Sequence, residues 1–209
     1  MTIDEISTQL EALLKAMNST KERIESINKL KLVLNKYSPF KGEPIDCVLW
    51  VKSEQLEAND YNPNSLAPPE KKLLYTSLLT DGYTQPIVVN KENDEYVIVD
   101  GFHRSLLGQE KKVLAQRLYG YLPITCINSK QSKRSDRIAA TIRHNRARGK
   151  HQISAMSDVV RDLVRLGWSD EKISKELGMD ADEVLRLKQI SGLAELFESH
   201  NFSEAWTVE

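Results

Sequence analysis

The stretch Val97-Ile98-Val99-Asp100-Gly101-Phe102-His103-Arg104 constrains what this chain can fold into more than any other. Three β-branched residues in a row suit a buried strand. The run stops at Gly101, which lets the backbone turn or approach a ligand closely, and Ser105-Leu106-Leu107 opens a segment with helical character. A strand that passes through glycine into a helix N-terminus presents amide donors and the positive end of the helix dipole, and His103 and Arg104 add donors suited to phosphate oxygens. A turn with a surface histidine and arginine is the simpler alternative, and the tetrapeptide alone does not separate the two.

The rest of the chain sorts around that stretch. Apolar residues at helical spacing (Ile6, Leu10, Leu13, Leu14 and Met17, then Ile24, Ile27, Leu30, Leu32 and Leu34) predict a helical hairpin in residues 1–44, its second helix opened by a capping box of Ser19 and Glu22. The segment from Tyr37 to Pro44 breaks the pattern as a linker. Cys47–Val51, Gln85–Asn90, Glu95–Val99 and Leu122–Ile127 read as strands, the middle two as a hairpin across a turn at Lys91–Asp94. Asn59–Asn64 is a turn-rich loop. Pro68 in a first turn, Glu70 beside it and the Asp81-Gly82 stop predict a helix over 68–80. A second helix is expected from Ser105 to Val113. Residues 45–151 thus make an α+β domain with a small mixed sheet.

Residues 152–209 are expected to be all helical. Ile153–Leu166 is amphipathic, Ser169 caps Glu171–Leu177, Gly178 turns the chain, and Asp180 or Asp182 caps a helix running to about Ile190. Two short helices across a glycine turn have helix-turn-helix geometry.

Charge and cysteine content narrow the function. The chain is a 209-residue protein, 40% hydrophobic and 28% charged, with a formal net charge of −1. That near-neutral total hides an uneven distribution. Residues 130–151 hold eight Lys or Arg against one Asp, whereas 152–209 hold six against twelve Asp or Glu. The middle of the chain attracts anions and the tail repels them. No apolar run approaches a membrane span, and Met1–Glu5 lacks the basic start and apolar core of a signal peptide, so a cytoplasmic protein without a membrane partner is expected. Cys47 and Cys126 stand far apart without companions at metal spacing. Reduced buried thiols are the expectation for them, and no metal site is expected from protein ligands alone.

Three ordered blocks, Asp81–Val89 (DGYTQPIVV), Tyr96–Arg104 (YVIVDGFHR) and Thr141–His151 (TIRHNRARGKH), resemble the N-terminal domain of the ParB and sulfiredoxin superfamily. The helices from Gln152 to Leu193 are similar to the helix-turn-helix region that follows that domain in ParB proteins. Within the superfamily the chain most resembles the IbrB-like branch, and the similarity runs over residues 45–193. Residues 1–44 lie outside it. Their hairpin is expected to pack on the body of the protein, with a homodimer as the alternative.

The resemblance implies a nucleotide-phosphate site of Gly101, Phe102, His103, Arg104 and Ser105, completed by Asn145 and Arg148 of an Asn-x-x-Arg block, with ADP, ATP or CTP as ligand. His144 stands where many relatives place Glu, which weakens Mg²⁺ binding because a hard cation prefers carboxylate oxygen to imidazole. Phe102 occupies the cysteine position of sulfiredoxins, so that thiol chemistry is removed. The free serine kinases of the same superfamily use Asp-Gly-His-His-Arg and an upstream glutamate. This raises a phosphotransferase alternative, or a nucleotide hydrolase, with Glu70, Asp100 and His103 as catalytic candidates. DNA is the second expected partner, which would place the protein with the nucleoid. Asp180, Asp182 and Glu183 oppose phosphate attraction at the expected recognition helix. Binding is therefore expected to be weak and salt-sensitive, through Lys133, Arg134, Arg137 and Arg143, with Arg186, Lys188 and Gln189 as further contacts.

Overall fold

The computed structural model describes residues 2–58, 67–92, 95–128, 134–146 and 153–198. The chain divides into two compact units, Met1–Glu57 with Lys72–Ser129, and Ala58–Lys71 with Lys130–Glu209. The predicted loop at 59–64 and the tip of the predicted turn, residues 93–94, lie outside the described residues.

The first unit opens with two helices, α1 (Ile3–Ala16) and α2 (Thr20–Tyr37). The full capping box is on α1, where Thr2 accepts from the Glu5 amide and Glu5 accepts from the Thr2 amide. On α2 the Ser19 hydroxyl accepts from the Glu22 amide at 3.4 Å. Neither helix buries a residue completely. Polar stitching fixes α2 instead. Asn28 bonds both the amide and the carbonyl of Trp50, Lys31 donates to Val48, and Asn35 donates to Asp46.

Trp50 belongs to the first of five strands, β1 (Leu49–Lys52), β2 (Leu56–Glu57), β3 (Ile87–Glu92), β4 (Glu95–Asp100) and β5 (Tyr121–Cys126). They form one mixed sheet in the order β1-β5-β3-β4-β2, with β1/β5 and β3/β4 antiparallel and β5/β3 and β4/β2 parallel. Every residue of β5 but Cys126 is buried, as its interior position requires. Val51, Leu56, Ile87, Val89, Ile98, Leu122 and Ile124 make the sheet core. The register slips between Val88 and Val89, so Val88 faces Asp100 while Val89 faces Ile98. Such a bulge redirects the end of β4 as it approaches Gly101.

The helices that follow are α3 (Pro68–Thr80, the predicted limits), which belongs to this unit from Lys72 onward, α4 (Phe102–Glu110) and α5 (Lys112–Arg117). Leu78, Leu107 and Leu114 pack one from each, and Tyr83 and Leu118 join this cluster to the sheet core. Gly108 makes the helix-on-sheet approach possible, since a Cβ there would strike Tyr83 and Leu122. The predicted Ser105–Val113 helix is corrected at both ends. It starts at Phe102 because Gly101 is itself the N-cap, in left-handed geometry (φ 91°, ψ 20°), and it breaks at Lys111 before α5.

Between residues 130 and 209 the described part of the second unit is helices joined by short turns, α6 (Arg134–Arg146), α7 (Ile153–Arg165), α8 (Asp170–Leu177) and α9 (Ala181–Glu198). Its core draws on all four. Ile138, Ala139 and Ile142 meet Val160, Leu163, Ile173, Leu177, Val184 and Leu187. Ser169 caps α8 by accepting from Lys172, whose ammonium lies 4.0 Å from the Trp168 ring centre. Gly178 ends α8 in left-handed geometry, and Asp180 opens α9 by accepting from the Glu183 amide at 2.6 Å. The helix runs past Ile190, where Ser191 donates back to Leu187. The chain is therefore α+β, a mixed sheet with helices followed by an all-helical region, as expected. Among the described residues no helix is long and apolar enough to cross a membrane.

Candidate functional site

Because Gly101 is the cap, Phe102, His103 and Arg104 form the first turn of α4 rather than a turn ahead of it. The first amides of a helix have no partner within it, and they carry the positive end of its dipole. They sit directly at the C-terminal end of β4. Positive φ there favours glycine, and a Cβ on Gly101 would stand 2.8 Å from Arg104 Nη2.

Arg104 is the hub of this turn. Its Nη1 donates to Gln85 Oε1 at 2.9 Å and its Nη2 to the Pro86 carbonyl at 3.3 Å, while Asp100 Oδ2 lies 3.5 Å from Nη2. The guanidinium thus ties the end of the DGYTQPIVV block to the YVIVDGFHR block. Both partners of the ion pair are largely buried, with the Arg104 side chain 15% and the Asp100 side chain 10% exposed. Tyr83 adds a clasp by donating its hydroxyl to the Arg104 carbonyl at 2.6 Å, and burial pushes its pKa up to about 12. The roles of Gln85, Pro86 and Tyr83 carry no signal in the sequence beyond membership of the first block.

The neighbouring candidates have defined places. Phe102 packs on the sheet core and meets the His103 ring edge-on at 5.2 Å. Ser105 is buried and receives Gln109 Nε2 at 3.4 Å, while the same amide donates to the Ser53 carbonyl. Ser105 is thereby a packing residue of α4. Glu70 accepts from the Ala67 amide at 3.1 Å and closes the first turn of α3. That is the conduct of a helix-start acid.

In the helical unit, Arg143 pairs with Glu176 at 2.8 Å, joining α6 to α8. Lys188 is held by both Asp170 oxygens at 2.9 Å. Arg186 and Gln189 are exposed on α9, Arg186 reaching back to the Asp182 carbonyl at 3.3 Å. Asp180, Asp182 and Glu183 are explained by their position, since carboxylates cap and stabilise a helix start. Lys133 and Arg148 lie outside the described residues, as do the side chains of Arg134, Arg137, His144 and Asn145, although α6 carries the backbone of the latter four.

A family model described as the IbrB-like C-terminal HTH domain matches residues 151–199. Over 189 residues the chain is 59% identical to the uncharacterized protein YbdM of Escherichia coli (strain K12), covering 90% of this chain and 89% of that one. The chain belongs to the YbdM family. Its helices α7 to α9 fall within the matched helix-turn-helix region. The expected IbrB-like branch is the one whose C-terminal helix-turn-helix model matches. Among solved structures, the truncated chromosome-partitioning protein ParB of Caulobacter crescentus is similar at 20% identity in its complex with CTP-gamma-S, with a TM-score of 0.38, covering 73% of this chain and 82% of that one. The same protein complexed to the centromeric parS site is similar at 18% identity with a TM-score of 0.43, covering 72% and 79%.

Proposed function

We propose that this protein is a DNA-associated regulator that binds a nucleotide through its phosphates. The observation that carries the reading is the Gly101 cap, which sets the first turn of α4, with His103 and Arg104 on it, at the end of β4. Oriented amides, a dipole end and a guanidinium are the donors that a di- or triphosphate recognises. The Asn-x-x-Arg spacing of Asn145 and Arg148 is the second phosphate-binding block that the family resemblance implies. The IbrB-like helix-turn-helix match supports DNA as the second partner.

Magnesium fits the donors poorly. The Asp100 carboxylate is engaged with Arg104, and position 144 offers imidazole in place of carboxylate. We therefore assign phosphate recognition to the chain's own donors. Asp100 is paired with Arg104 and Glu70 closes its own helix turn, so no phosphoryl-transfer step is assigned to either.

Thermal shift with ADP, ATP and CTP selects the ligand, and calorimetry then tests the site. Arg104→Ala and Arg148→Ala are each expected to cost about 2 kcal/mol of affinity, roughly thirtyfold, as loss of a charge-assisted phosphate contact does. Unchanged affinity in both variants would refute the site. Because Arg104 also fastens Gln85 and Pro86, its variant is read beside its own melting curve.

A further inference from the structure

The β1/β5 ladder pairs Leu49 with Ile124 and Val51 with Leu122. Carried two residues beyond its end, the same antiparallel register sets Cys47 opposite Cys126. Alternation of side chains along a strand puts both on the face of Leu49 and Ile124. Cys47, which caps the 3-10 turn Pro44–Asp46 just ahead of β1, lines one cavity of about 240 Å³ together with Leu49, Ile124 and Cys126. The flanking chains continue side by side, with Thr125 Oγ1 donating to the Pro44 carbonyl and Asn128 Nδ2 to that of Gly42. Both thiols are free and half-buried, and so within reach of a small reagent.

We propose that Cys47 and Cys126 form a reversible dithiol–disulfide pair that fastens the segment ahead of β1 to the C-terminal end of β5. Opposed residues of an antiparallel ladder stand about 4.5–5.5 Å apart at Cα, inside the span that a disulfide bridges. The oxidant is a low-molecular-weight disulfide, RSSR. One cysteine thiolate attacks a sulfur of RSSR, forming a mixed disulfide and releasing RS⁻. The second thiolate then attacks the protein sulfur of that mixed disulfide, forming the Cys47–Cys126 bond and releasing the second RS⁻. The protein gives up two electrons and two thiol protons, and RSSR becomes two RSH.

Burial pushes both thiols above their ordinary range, opposed by Lys31 at Cys47 and by Lys91 at Cys126. The pair is therefore mostly protonated at neutral pH, and its oxidation speeds up as pH rises. The bridge would act on α2, whose Asn28, Lys31 and Asn35 bond Trp50, Val48 and Asp46 on either side of Cys47. This chemistry is separate from the Gly101–Arg104 turn and stands whether or not a nucleotide binds there.

The full-length chain is incubated with oxidised and reduced glutathione at several ratios and pH values, then analysed by intact mass and non-reducing peptide mapping. The expected product is a monomer lighter by two hydrogens, with a linked Cys47–Cys126 peptide that excess reduced glutathione reverses. Cys47→Ser and Cys126→Ser should each stop at one bound glutathione. Two glutathiones per wild-type chain without a cross-link, disulfide-linked dimers, or thiols that stay unmodified at every ratio would each overturn the pair.

Discussion

Gly101 of the first unit and Gly178 of the second are both in the left-handed region but meet opposite surroundings. Gly101 opens α4 at φ 91°, and a Cβ there would press on Arg104 Nη2, Nε and Cζ. Gly178 closes α8 at φ 64°, with nothing within 4 Å of where its Cβ would lie. The first sits in an interlocked knot of Asp100, Arg104, Gln85, Pro86 and Tyr83. The second is an isolated C-cap whose amide bonds Ser174. The α/β unit therefore builds its candidate site out of mutually dependent side chains. The helical unit builds its helix-turn-helix from local caps and leaves Arg186 and Gln189 of α9 facing solvent.

The largest test of that contrast is Gly101→Ala against Gly178→Ala. Each carries the left-handed penalty of about 1–2 kcal/mol. Only Gly101→Ala also displaces a guanidinium held by three acceptors, so it should cost about 2–4 kcal/mol in urea unfolding and weaken the proposed nucleotide binding as well. Equal losses from the two substitutions would break the comparison.

Tyr83→Phe gives a smaller and pH-dependent effect. Removing the hydroxyl that donates to the Arg104 carbonyl should cost about 1 kcal/mol near neutral pH. The native tyrosine keeps its proton up to about pH 12 because burial disfavours the anion, whereas the unfolded chain loses it near pH 10. The native state thus binds more protons between those values. The stability is complete below pH 10 and is lost as pH rises toward 12. Urea midpoints across that window should fall more steeply in wild type than in Tyr83→Phe, and parallel slopes would detach Tyr83 from the knot.

How far these features were legible depends on how local their causes are. The limits of α3 follow from Pro68 and Asp81-Gly82, and the start of α8 from Ser169, because each signal lies within a turn of its effect. The two-residue β2 has no signature of its own, since it is a strand only by pairing Leu56 with Tyr96 and Glu57 with Val97. The start of α4 lies three residues ahead of the expected Ser105 because its cap is a glycine with no side chain to announce it. The strand–glycine–arginine pattern was visible, but what Arg104 holds was not. Its partners lie 18 and 19 residues away and are chosen by the path of the 82–86 segment. For the same reason the Arg143–Glu176 pair, spanning 33 residues, was hidden in a segment that reads only as basic.

The smallest stability effects are expected on α9, and they complete the contrast. Arg186 and Gln189 are exposed, and Arg186 reaches back to the Asp182 carbonyl on its own helix. Arg186→Ala and Gln189→Ala should shift unfolding by no more than about 0.5 kcal/mol. If α9 meets DNA, Arg186→Ala should lower the slope of log affinity against log salt by about one, as loss of one phosphate contact does, while Gln189→Ala leaves the slope unchanged. Fluorescence anisotropy on duplex DNA over a salt series measures both. A stability loss comparable to that of Gly101→Ala would show that α9 is interlocked after all. An unchanged salt slope for Arg186→Ala would move DNA contact off this face of α9.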